Sequence, residues 1–94
     1  MTTKLKQISA TGDVETGKGY LKSVTLTPAA ALSTVAVRLN GASGTVVKTL
    51  QAAASGASVV WISSDHEGVY FQGALHGTLS GASALADFEY ELAA

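Results

Sequence analysis

Thr34-Val35-Ala36-Val37-Arg38-Leu39-Asn40-Gly41 is the stretch on which the fold turns. Successive side chains of an extended chain point to opposite faces, so Val35, Val37 and Leu39 share one face and Thr34, Ala36 and Arg38 the other. Asn40-Gly41 then supplies the two residue types that accept positive φ, as a tight hairpin turn requires. The stretch predicts a strand running into a turn.

The same rhythm extends in both directions. Upstream, Tyr20–Thr27 sets Lys22, Val24 and Leu26 against Leu21, Ser23 and Thr25, and ends at Pro28, which has no N–H to give to a ladder. Pro28–Leu32 reads as one helical turn or a plain loop. Downstream come Thr45–Leu50, then Ser58–Ser63 with the lone tryptophan in Val59-Val60-Trp61-Ile62, then Val69–Leu79. Gly73 and Gly77 lie inside that last run, where glycine marks a bulge, a bend or a close neighbour. Ala84–Leu92 alternates Ala86, Phe88, Tyr90 and Leu92 with Asp87, Glu89 and Glu91, the pattern of a half-buried strand with an acidic outer face.

Lys4–Thr11 gives a first, poorly phased strand, and Gly12–Gly19 reads as a turn-rich connector. Residues 1–18 are thus expected to form an N-terminal edge strand or arm, and residues 19–94 a β-sandwich domain. Gly-Ala-Ser recurs at 41–43, 56–58 and 81–83 with unequal spacing, which is shared turn chemistry and not a solenoid repeat. Seven strands joined by short turns predict an all-β fold. Its architecture is a single antiparallel two-sheet β-sandwich, jelly-roll-like or immunoglobulin-like.

Composition narrows the function. Cysteine is absent, which removes disulfide frameworks, thiol nucleophiles and cysteine-rich zinc sites. Charged residues make up 14% of the chain against about 25% in ordinary globular proteins, and the net charge is -1. Without a basic field the chain is expected to bind neither nucleic acid nor an anionic membrane surface. Gln7 and Ser9 interrupt what would be the apolar core of a signal peptide, and no run approaches the ~18 apolar residues of a spanning helix.

Asp65-His66-Glu67 is the one cluster of acid, base and metal-ligand types, but consecutive residues of an extended chain diverge, so a solvated turn is the reading. His76 lies on the strand face opposite Phe71 and Leu75 and is expected at the surface or in an interface. No Gly-x-Ser-x-Gly elbow occurs, and Gly12–Gly19 lacks the lysine spacing of a phosphate loop. The chain is therefore expected to be no enzyme, with no catalytic residue, no metal ligand and no cofactor.

The apolar residues that fall on the wrong face carry more information. Val60 and Ile62 oppose Val59 and Trp61, Tyr70 opposes Phe71, and Val47 opposes Val46. A two-layer domain covers one face of each strand, so Val60, Ile62 and Tyr70 are expected to form a self-association interface. Shielding of these side chains by loops such as Pro28–Ala31 is the alternative.

Gly17-Lys18-Gly19-Tyr20-Leu21-Lys22-Ser23-Val24-Thr25-Leu26-Thr27 followed by Val35-Ala36-Val37-Arg38-Leu39-Asn40-Gly41 resembles the opening of small tailed-bacteriophage virion proteins. Gly44–Ala53, Gly68–Leu79 and Phe88-Glu89-Tyr90 continue the likeness across nearly all of the chain after Gly17. The resemblance implies a capsid decoration or cement protein, made in the host cytoplasm and placed on the capsid surface of the virion. Such a protein oligomerises with itself and braces the shell of major capsid protein. A head-fibre or tail component draws on the same likeness. A carbohydrate-binding β-sandwich module, stacking Tyr20, Trp61 or Tyr70 on a sugar, is a separate alternative.

Overall fold

The structure, a computed structural model, describes residues 3–63 and 68–93. The described residues form nine strands and no helix. They are β1 (Thr3–Ile8), β2 (Gly12–Thr16), β3 (Gly19–Thr27), β4 (Ser33–Leu39), β5 (Val46–Ala52), β6 (Val59–Ile62), β7 (Val69–Phe71), β8 (Ala74–Ser80) and β9 (Leu85–Leu92). The first sheet runs β1-β9-β3-β6, with β7 also on β3, and the second runs β2-β8-β4-β5. Every pairing is antiparallel.

The pairings are nested. Thr3 faces Glu91, Gly12 faces Gly77, Gly19 faces Phe71 and Ser33 faces Ala52. The chain is thus one long hairpin, with its tip at Asn40–Thr45, rolled so that successive pairs fall alternately into the two sheets. That order is the jelly roll, two Greek keys face to face, and not the immunoglobulin arrangement. The tip has the conformation its residues predict: Asn40 and Gly41 both take positive φ, 68° and 90°. It is then tied down, because Gly41 N donates to Ala74 O and Asn40 Oδ1 accepts from Gln72 N.

Alternation builds the core. Leu21, Val24 and Leu26 of β3, Val35 and Val37 of β4, and Ala86, Phe88 and Tyr90 of β9 are buried between the sheets with Val14, Leu50, Phe71 and Leu75. The break in phase between Leu21 and Val24 coincides with a shift in the β3–β9 register between Leu21 and Ser23.

The structure corrects two local expectations and decides a third that was left open. Gly12–Thr16 is a strand and not a connector: Val14 bulges inward to full burial while Asp13 and Glu15 keep the ladder with β8. A single apolar residue among turn formers carries no period, so this strand left no pattern to read. The run Val69–Leu79 is two strands in different sheets, parted at Gly73, whose φ of 89° turns the chain from β7 into β8. Pro28–Leu32 is a loop, not a helical turn.

Tyr90 links the two layers at the β1–β2 side, its hydroxyl donating to Glu15 Oε1 over 2.8 Å. Burial, followed by the hydrogen bond to Glu15 and its charge, pushes the phenol up from 10.0 to about 12. A raised pKa means that the folded state holds the proton longer than the unfolded chain. The stabilisation is therefore complete below pH 10 and is lost as pH rises through about 12. Denaturant titrations between pH 9 and 12 should show stability falling over that window, and Tyr90→Phe should flatten the fall.

Candidate functional site

The outer face of the first sheet changes character from one side to the other. On β9, Asp87, Glu89 and Glu91 point outward, and each has a partner. Gln7 Nε2 donates to Asp87 Oδ1 over 3.0 Å, Ser23 Oγ donates to Glu89 Oε1 over 3.0 Å, and Lys22 Nζ lies 3.6 Å from Glu91 Oε1. The next strand, β3, presents Tyr20, Ser23 and Thr25 in the same rows. Beyond it lie Tyr70, Ile62 and Val60, opposite Tyr20, Ser23 and Thr25 respectively. The face therefore passes from acidic to apolar at the β6–β7 edge.

Val60 is 56% exposed, Ile62 70% and Tyr70 44%, whereas Val59 and Trp61 pack against the core. The Pro28–Leu32 loop does not shield them. Tyr70 rests on Tyr20 with ring centroids 5.4 Å apart and planes inclined by 57°. The sequence did not mark Tyr20 as part of this patch, because a β3 residue joins it only once β7 is known to pair there. Leu5 on β1, Leu32 in the loop before β4 and Val46 on β5 are also exposed, on other elements.

His76 departs from expectation. It does point away from Leu75, outward from the second sheet, yet it is only 5% exposed. Its row explains this: Asp13 of β2 stands on one side and Arg38 of β4 on the other. His76 Nδ1 lies 2.9 Å from Asp13 Oδ1. Arg38 is held in turn by Thr78 Oγ1 at 3.4 Å and Gly44 O at 3.0 Å. The histidine thus ties the short edge strand β2 to β8 and is not an open surface group. Asp65, His66 and Glu67 lie outside the described residues. No three metal-binding side chains cluster among the described residues, and none of these forms a helix long and apolar enough to cross a membrane.

The two ends of the sandwich also differ. Strand direction brings Ser9–Thr11, Pro28–Leu32, Ala53–Ser58 and Gly81–Ala84 to one end. Ser55 N donates to Ala29 O there, and Thr11 Oγ1 donates to Leu79 O. None of these four connections contains a charged residue.

No family model, curated protein or solved structure matches this chain.

The arrangement does suit binding. An apolar strand edge and a charge-free loop end present little that must be desolvated at high cost, since burying unpaired charge is the main penalty of contact. Small side chains at the loop end also lose little rotamer entropy when covered.

Proposed function

We propose that this protein is a non-catalytic virion structural protein, a capsid decoration or cement protein that oligomerises on the capsid surface and braces the shell of major capsid protein. The observation that carries the reading is the uncovered apolar edge Val60, Ile62 and Tyr70 on an otherwise complete sandwich. The jelly-roll strand order, common among capsid proteins, and the phage-like stretches after Gly17 support it. Each contact is small, and bracing comes from many copies at once, because linked weak contacts multiply into avidity.

The charge-free loop end is the side turned to the shell in this reading, with Leu32 exposed at its surface. β1 and β2 are built into the sheets, so Thr3–Ile8 and Gly12–Thr16 contribute as strands and not as a free arm. Reconstruction of the virion whose genome encodes the chain tests the proposal. Density for the domain outside the capsomers, loop end inward, is the expected result, and its absence from the particle overturns the proposal. Leu32→Asp should lower rebinding to stripped particles at least tenfold while leaving the fold unchanged.

A carbohydrate-binding module is the second reading, favoured only by the Tyr20–Tyr70 pair. The 57° inclination gives no flat two-ring platform for a sugar, and Trp61 packs against the core. Saturable glycan binding by the isolated domain, lost in Tyr70→Ala, would favour this module over decoration.

A further inference from the structure

Each sheet of an open sandwich has two edges, and three of the four here carry a barrier against further pairing. β1 turns Lys4 and Lys6 to the inner side, in the rows of Tyr90 and Phe88. β2 is bulged at Val14 and sets Glu15 in the row of Leu75. β5 shifts register near Val37 and sets Lys48 in that residue's row. Inward charges and bulges of this kind prevent edge-to-edge association. The fourth edge, β6, has neither: its inward residues are Val59 and Trp61 and its outward ones Val60 and Ile62.

Its main chain is ready to pair. Ser63 N donates to Lys22 O, so Ser63, Trp61 and Val59 turn their polar groups toward β3. Val60 and Ile62 therefore turn theirs to the open side. We propose that β6 pairs antiparallel with β6 of a second copy about a twofold axis at Trp61, joining the two first sheets into one. This deepens the self-association part of the proposed function and rests on it.

The register is self-complementary. Opposed residues of an antiparallel pair share a face, so Val60 meets Ile62 of the second copy and Ile62 meets Val60. These are the residues whose N–H and C=O groups point away from β3, and each pair exchanges both bonds. Trp61 meets Trp61 across the axis at a pair without hydrogen bonds, where side chains approach most closely. Charge agrees as well: a twofold brings every charge near its own copy, which penalises the lysine-bearing β1 and leaves the uncharged β6 unaffected. The apolar patch is on the order of 300 Å² per copy, below the ~800 Å² of a tight interface. So small a patch makes for a weak pairing, suited to copies concentrated on a surface.

Sedimentation of the intact chain from 5 µM to 1 mM tests this, with Trp61 emission as a local readout because it is the one tryptophan. The wild type is expected to rise from 9.5 kDa toward a dimer, with emission shifting to the blue. Ile62→Pro removes an N–H that β3 does not use, and Val60→Lys leaves every backbone group in place. Both should stay monomeric at 1 mM, with circular dichroism unchanged. Association of the wild type that persists in both variants overturns the β6 pairing and leaves self-association standing. A wild type that stays at 9.5 kDa overturns both, while the place on the capsid is still decided by particle reconstruction. A strand peptide that protects β6 in a monomeric wild type would assign the edge to a foreign chain.

Discussion

Phe88→Ala is expected to cost about 3–5 kcal/mol, a large part of the roughly 5–15 kcal/mol that holds a domain of this kind together. Phe88 is fully buried on β9, opposite Val24 of β3 and Lys6 of β1. Its ring also lies over Gly77 of the opposite sheet, where an added Cβ would come within 3.0 Å of it. The glycine is thus part of the seat for the aromatic ring, and deleting the ring opens a void lined by both sheets. Neither sheet can collapse onto it without disturbing the ladders on either side. A melting temperature lower by more than 10 °C, at about 4–8 °C per kcal/mol, checks this.

Gly19→Ala should cost about 3 kcal/mol for a different reason. A Cβ at Gly19 would stand 2.1 Å from Glu91 O and 3.0 Å from Phe71 Cζ. The first of these is main chain in the adjacent β9, so relief requires separating β3 from β9, and overpacking of this kind is costly. Gly12→Ala is the control, because no atom lies within 4 Å of a Cβ built there and its φ is not positive. It should be neutral or stabilising by up to about 1 kcal/mol. Paired denaturant titrations of the two variants separate a steric requirement from a general dislike of side chains.

The legibility of the fold followed the strength of its periods. β4 and β9 were clear because Val35-Val37-Leu39 and Phe88-Tyr90 repeat at every second residue over a long stretch. β2 was hidden, since it buries Val14 alone and is held mainly by pairing with β8. The passage from β7 to β8 was hidden because Val69, Phe71, Leu75 and Leu79 stay in phase across Gly73 although the chain changes sheets. Periodicity reports which face is apolar and says nothing about which sheet that face belongs to.

The same distinction governs the site. Val60, Ile62 and Tyr70 stood out in the sequence as apolar residues with no face left to fill. Their meeting along one edge depends on β6 and β7 both pairing with β3, a long-range fact. The burial of His76 was unreadable for the same reason, since its cover comes from Asp13, sixty-three positions away, and from Arg38.

Amide exchange at Val60 and Ile62, followed residue by residue at low and at high protein concentration, bears most directly on the uncovered edge. In dilute solution both amides should exchange as freely as unprotected ones, while Trp61 and Ser63, bonded to β3, exchange slowly. At high concentration Val60 and Ile62 should slow at least tenfold. Exchange at these two amides that is independent of concentration, whether fast or slow throughout, would contradict an edge made to be covered by another copy.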